Sequence, residues 1–238
     1  YLADTMGIEL VQGSDLFVKD NITFMRTTEG KQRVDIIYRR IDDDFIDPLT
    51  FNHTSVIGVP GLFDSYRAGF VNICSAPGSG IADDKAIYIY VPKMIEFYLG
   101  EQPILDNVET WNCENNDDLK YVVDNIANLV VKEVDGSGGY GMLIGPKSSK
   151  LEIDNFKQKL SSNPNGYIAQ PLLDLSFTPT LIRNQVEGRR VDLRPFCLIG
   201  EKAQLSSGGL TRVAMSEGSF VVNSSQGGGV KDTWVLAE

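Results

Sequence analysis

The sequence predicts an α+β protein in two lobes, an α/β lobe over residues 1–76 and a lobe with a largely antiparallel sheet over residues 77–238. Three observations carry that prediction. The first 76 residues mix a short helical pattern with several β-type runs. A lysine-ended apolar run at 129–134 is followed by glycines and a second short apolar run, the order strand, loop, strand. After residue 166 the chain is dominated by short β-type runs separated by turn residues.

The elements follow in order. Leu2 and Met6 mark a short helix at the start. Residues 8–12, 15–18 and 21–25 read as short strands, and Val34 to Tyr38 as a strong one. The run Arg39-Arg40-Ile41-Asp42-Asp43-Asp44 follows. Adjacent strand residues point to opposite faces, so three consecutive aspartates cannot converge on a metal, and a turn or arginine-pairing role is expected. A helix is expected over 60–69, with Pro60 near its first turn, and a short strand over Val71 to Cys74. Ser75-Ala76-Pro77-Gly78-Ser79-Gly80 reads as the linker between lobes. In the second lobe, a helical stretch runs from Lys85 to Val91, and Pro92 opens the next helix, which Leu99-Gly100 ends. Leu119, Val122, Val123 and Ile126 form one helical face behind Asp117-Asp118, whose charges suit a helix start. A helix through Leu151, Ile153, Phe156 and Leu160 ends at Asn163-Pro164. Strands are then predicted at 167–170, 191–199, 203–205, 210–215 and 219–222.

Composition excludes several classes. The 238 residues are 42% hydrophobic and 23% charged, ordinary for a globular chain. A net charge of −10 and a pI near 4.7 argue against wholesale nucleic-acid binding. Three scattered cysteines, Cys74, Cys113 and Cys197, with no CxxC, suggest reduced, mostly buried thiols in a cytoplasmic protein. The single histidine, His53, excludes a multi-histidine metal site. No apolar run reaches about 18 residues, so no membrane span is predicted. The chain starts at Tyr1, inside a helical pattern, and is read as the later part of a longer protein. Oligomeric state is not legible.

The chemistry-bearing segment is Val131-Lys132-Glu133-Val134-Asp135 with Gly136-Ser137-Gly138-Gly139-Tyr140-Gly141. Its G-x-G-x-x-G spelling is weak evidence alone. A dinucleotide fold needs a helix directly after the glycines, and only four residues separate Gly141 from Gly145-Pro146. A phosphate loop of the Walker type needs Gly-Lys-Ser/Thr, which Pro146 interrupts. A protein kinase places its lysine after the glycines, whereas Lys132 precedes them. A hairpin remains, whose loop can present backbone N–H groups to a polyphosphate while the lysine adds charge. A solvated surface hairpin is the other reading.

These segments together resemble the circularly permuted ATP-grasp family related to glutathionylspermidine synthetase. The match is carried by Val34 to Phe45, Ala82-Asp83-Asp84-Lys85-Ala86, the lysine hairpin, Tyr167-Ile168-Ala169-Gln170-Pro171, and Val191-Asp192-Leu193-Arg194-Pro195-Phe196. Gly208 to Val213, Val222-Asn223-Ser224-Ser225-Gln226-Gly227-Gly228-Gly229 and Lys231 to Trp234 complete it. The resemblance implies an ATP-grasp fold, with residues 1–76 as an adjoining pre-ATP-grasp-like lobe. It implies ATP and Mg²⁺, and an ADP-forming ligase that phosphorylates a small-molecule or peptide carboxylate and passes the acyl group to an amine. Lys85 and Lys132 then look like the ATP-contacting lysines, Gly136, Ser137, Gly138, Gly139, Tyr140 and Gly141 the loop over the phosphates, and Ala169, Gln170 and Leu172 the hinge beside adenine. The family's acidic magnesium element is expected upstream of Tyr1, so no metal ligand is named and the chain is expected to be an incomplete part of the enzyme.

The remaining residues keep two readings each. Asp192 and Arg194 share a strand face and suit either ligand contact or an ion pair. Arg212, behind Gly208-Gly209, is the candidate catalytic residue, able to neutralise a transferring phosphoryl group, or else a surface arginine. Asn223 begins a polar, backbone-open stretch suited to ligand approach. Beside a carboxylate–amine ligase stand a nucleotide-binding scaffold without turnover and a phosphotransferase to another acceptor.

Overall fold

The computed structural model describes residues 1–136, 138–223 and 227–236. It contains two compact units, Tyr1–Asp83 and Asp84–Glu238.

In the first unit, helix α1 (Leu2–Met6) precedes an antiparallel sheet of β1 (Leu16–Lys19), β2 (Ile22–Thr27) and β3 (Gly30–Arg33). The β1–β2 turn is Asp20-Asn21, both at positive φ (53° and 59°), the backbone that a two-residue hairpin requires. Residues 8–12, expected as a strand, form none: the run has no paired neighbour, and β-propensity without a partner is not a strand. Strands β4 (Ile36–Tyr38) and β5 (Asn72–Cys74) pair in parallel, and the crossover between them contains α2 (Asp43–Ile46) and α3 (Leu62–Arg67). Leu16, Met25, Ile46, Val59, Leu62, Val71 and Ile73 form the core.

Asp47 is fully buried, yet its carboxylate accepts from the N–H groups of Leu49 (2.9 Å), Gly61 (3.1 Å) and Phe63 (3.0 Å), which satisfies it and anchors the start of α3. Asp43 pairs with Arg39, whose guanidinium also donates to Ile41 O and to Ser75 O. The acidic run therefore serves as a helix start and an arginine partner.

The second unit begins with a 3₁₀ turn at Ile87–Tyr90 that runs into α4 (Val91–Leu99), where Pro92 sits in the first turn. Lys85 lies ahead of both, not in a helical first turn as the sequence suggested. Two four-stranded antiparallel sheets follow. The first, in order β6-β9-β7-β8, comprises β6 (Trp111–Asn112), β7 (Leu129–Glu133), β8 (Leu143–Ile144) and β9 (Tyr167–Pro171). Helices α5 (Asn116–Asn125) and α6 (Lys150–Ser162) supply Val122, Phe156 and Leu160 to the core shared with Leu129, Val131 and Ala169. Cys113 is buried in this core, which together with Asp118 pushes its thiol up to about 12; Cys74 and Cys197 are exposed, against expectation.

The second sheet runs β10 (Phe177–Ile182), β11 (Gln185–Ile199), β12 (Ala203–Val213), β13 (Gly229–Trp234). The β11–β12 register shifts between Pro195 and Cys197, where proline cannot donate to the ladder. Residues 219–222, predicted as a strand, lie in a non-repetitive segment after β12.

Candidate nucleotide site

Alternation along β7 divides its side chains. Leu129 and Val131 point into the core, while Val130 and Lys132 line a cavity of about 390 Å³. On β9, Ala169 pairs with Val131 and is fully buried, whereas Gln170 pairs with Val130 and faces the cavity. The cavity continues over Ile144, Pro171, Leu172, Leu173 and Leu175. Its other wall comes from the second sheet and the segment between β12 and β13, with Asp192, Arg212 and Phe220 to Asn223.

The glycine segment forms the hairpin that the sequence predicted: β7 and β8 pair antiparallel, with Val130 opposite Ile144 and Val131 opposite Leu143. Gly136, Gly138, Gly139 and Tyr140 line the cavity; Gly141 does not, and Ser137 lies outside the described residues. Gly141 has φ +67°, and a Cβ there would fall 2.4 Å from the Glu133 carboxyl carbon. The loop thus folds back on the carboxylate at its own root, and the positive φ favours glycine there, although the Glu133 side chain could move aside for a larger residue.

Two lysines meet at that root. Lys85 Nζ donates to Val134 O (3.2 Å) and to Gly136 O, and its backbone N–H also reaches Val134 O (3.1 Å). Lys132 Nζ donates to Gln170 Oε1 (2.7 Å), and Gln170 Nε2 in turn donates to Thr110 Oγ1 (2.8 Å), which orients the amide. Burial, and then the neighbouring Lys85 charge, lower the Lys132 pKa below the ordinary lysine value. Two cations this close beside backbone-rich glycines suit an anion, which would relieve the repulsion between them.

Asp192 and Arg212 face each other across β11 and β12. Arg212 Nε donates to both carboxylate oxygens (2.9 and 3.2 Å) and Nη2 to Oδ2, which raises the guanidinium pKa further. Arg194, two residues from Asp192, is exposed and stands outside the cavity lining. Asn223 lines the cavity, and Ser224, Ser225 and Gln226 lie outside the described residues.

Sequence reasoning missed Glu133, Met142 and Phe220 as lining residues. Glu133 carried a signal, since it follows Lys132 directly at the root of the loop. Phe220 carried none, because its place is set by contacts distant in sequence. Among the described residues no group of three or more His, Cys, Asp or Glu side chains could hold a metal ion. Among the same residues no helix is long and apolar enough to cross a membrane.

The site thus combines a glycine hairpin, two lysines and a largely apolar cavity in a mixed α+β chain. The chain belongs to the circularly permuted ATP-grasp type 2 family, whose model matches residues 1–214. It is 57% identical over 237 residues to an uncharacterized protein of Synechocystis, covering 99% of this chain and 49% of that protein. An uncharacterized protein of Mycobacterium tuberculosis H37Rv is 55% identical over 237 residues, 99% of this chain and 43% of its own length. A Frankia casuarinae protein provisionally named a glutamate–cysteine ligase is 42% identical over 235 residues, 98% of this chain but 27% of that protein. The chain therefore spans about half the length, or less, of these relatives.

Proposed function

We propose that the cavity binds ATP and that the chain is the nucleotide-binding part of an ADP-forming carbon–nitrogen ligase. The observation that carries this reading is the convergence of Lys85 and Lys132 at the root of the glycine hairpin, beside an apolar slot of nucleotide size. In this reading the phosphates lie under Gly136 to Gly141 near both lysines. The adenine lies against Val130, Ile144 and the Gln170–Leu172 backbone. Arg212 bears on the transferring phosphoryl group. The lobe over residues 1–76 adjoins an ATP-grasp lobe over 77–238 in the permuted order, with a relation to glutathionylspermidine synthetase.

The reaction proposed is phosphorylation of a carboxylate to an acyl phosphate, followed by attack of an amine to give a peptide or isopeptide bond. Both substrates would be small molecules or peptides, in the cytoplasm. Mg²⁺ would supply charge neutralisation on the phosphates, and its ligands are not assigned to this chain. The ligase name of the Frankia relative supports the reaction class, but that protein is several times longer, so no substrate is carried over from it.

A nucleotide-binding scaffold without turnover is the second reading, and Arg212 supports it: the guanidinium is already held by Asp192, so its charge is partly spent before any phosphate arrives. ADP release that requires a carboxylate and an amine together supports the ligase. ATP binding without ADP in the full-length protein under a wide substrate mixture supports the scaffold, and ADP release with a non-carboxylate acceptor would indicate a phosphotransferase.

The site itself is tested by Lys132→Met, which keeps much of the aliphatic packing and removes the charge. Losing one charge-assisted phosphate contact should weaken Mg-ATP by roughly tenfold to a hundredfold. Melting without nucleotide should change little, while the stabilisation by Mg-ATP should shrink. A variant that melts early yet gains as much from Mg-ATP as the parent would make Lys132 a structural residue.

A further inference from the structure

The segment after β12 reaches the cavity wall without regular structure of its own: residues 214–223 form neither helix nor strand. Phe220 nevertheless lines the cavity. Something must hold it there, and the geometry identifies what does. The Arg190 guanidinium lies 3.8 Å from the centre of the Phe220 ring and 4.8 Å from that of Phe177, its cross-strand neighbour on β10, and Lys147 Nζ stands farther off, 5.5 Å from the Phe220 centre. The Arg190 side chain is 15% exposed, and among the described residues its carboxylate contact is to Asp174 (3.1 Å), an exposed residue. Its Nε is buried with no hydrogen-bond partner among the described residues. A guanidinium placed so is poorly explained by the ion pair alone. Planar packing on aromatic faces is a contact that suits arginine better than lysine.

Locally, Ser219 shapes the chain around Phe220. Its hydroxyl accepts from Val221 N–H (3.1 Å) and donates to Val221 O (3.2 Å), tightening the backbone on either side of the ring. The strand beneath is tied as well, with Ala214 N–H donating to Arg190 O (2.9 Å). The cavity is aromatic at two places among its described lining residues. Tyr140 belongs to the glycine loop, the end suited to polyanions, whereas Phe220 adjoins the apolar Val221 and Val222. An aromatic face in an apolar slot is what a heteroaromatic base prefers.

We propose that Phe220 is the surface on which the nucleobase stacks, and that Arg190 is a positioning residue that fixes it through the ring. This rests on the cavity taking a nucleotide. It adds that affinity is divided between two independent ends, base and polyphosphate, and that the base end depends on a residue of β11 whose side chain is not among those lining the cavity.

The experiment compares Mg-ATP with inorganic tripolyphosphate, which has the charge and no base, by calorimetry on the parent chain, four single variants and one double variant. Phe220→Leu should weaken Mg-ATP by about five- to fifty-fold, in the range for losing base–aromatic stacking, and leave tripolyphosphate unchanged. Phe220→Tyr should keep Mg-ATP affinity near that of the parent. Arg190→Met should weaken Mg-ATP selectively and add nothing when combined with Phe220→Leu, because both act through one ring. Arg190→Lys should recover part of the loss, and it is the variant read if Arg190→Met does not fold. Parallel losses for ATP and tripolyphosphate, or unchanged ATP affinity in Phe220→Leu, overturn the proposal while leaving the nucleotide site in place. A parent that binds neither ligand overturns the nucleotide reading itself, and this proposal with it.

Discussion

At the residue scale, Lys132 carries the clearest thermodynamic consequence. Its folded-state pKa lies below the ordinary 10.5 because burial disfavours the ammonium and Lys85 repels it. The unfolded chain therefore binds more protons than the folded one between the lowered value and the ordinary value. The penalty is fully present below the folded pKa and is relieved as pH rises toward the unfolded one, so this lysine makes nucleotide-free stability increase through that alkaline window. A bound polyphosphate reverses the shift, since it offsets both cations. Mg-ATP binding in that window should therefore take up protons, seen as a dependence of the binding heat on buffer ionisation enthalpy. In Lys132→Met the dependence should largely vanish; an undiminished dependence would place the protonation elsewhere.

At the element scale, what was legible in the sequence was what neighbours in sequence determine. The hairpin of β7 and β8 was readable because its alternation, its lysine and its glycines all lie within sixteen residues, Leu129 to Ile144. Helix α5 was readable from its apolar spacing and acidic start, and α6 from its apolar spacing and its end at Asn163-Pro164. Strand β13 was not, because residues 229–234 become a strand only by pairing with β12. Strand β6 is two residues long and paired to a strand more than fifty residues away, which leaves no local pattern. The error at 219–222 is the converse, an apolar run whose partner is the Arg190 guanidinium and not another strand. In the site, Lys132 was singled out from its own segment and Gln170 through the family resemblance, whereas the contact of Lys85 with Gly136 spans 51 residues and is not visible in a local reading of Lys85 as a helix residue.

The start of α6 tests how much a local signal contributes. Ser149 accepts from Glu152 N–H (3.3 Å) while the Glu152 carboxylate accepts from Ser149 N–H (2.7 Å), a reciprocal cap that also holds the Glu152 pKa below its ordinary value. This helix places Phe156 and Leu160 in the core under the hairpin. Ser149→Ala should cost about 0.5–2 kcal/mol of unfolding free energy in denaturant melts, the range for removing an N-cap. A change well under that range would mean that core packing alone sets the start of α6.

At the scale of the whole molecule, the distribution of the site over the chain matters more than the acidic balance. A net charge of −10 opposes a polyanion, but exposed charges beyond a Debye length of about 8 Å are screened at physiological salt. The cations that line the cavity, Lys85, Lys132 and Arg212, act at contact range. Every described residue that lines this cavity belongs to the unit Asp84–Glu238, including Lys85 at its very start. That unit also has its own core, built by α5, α6 and the first sheet, independent of the core around Leu16 and Ile73. A unit with a core of its own and every described lining residue of the cavity should fold and bind without the rest. Residues 84–238 expressed alone should therefore melt cooperatively and bind Mg-ATP within a few-fold of the 238-residue chain, as measured by calorimetry on both. The cut precedes Lys85 by a single residue, so a second fragment beginning at residue 79 guards against fraying of the lysine's backbone contact with Val134. If both fragments melt cooperatively yet bind Mg-ATP far more weakly than the longer chain, the first unit contributes to the site. If both bind as the chain does, residues 1–83 serve something other than nucleotide affinity.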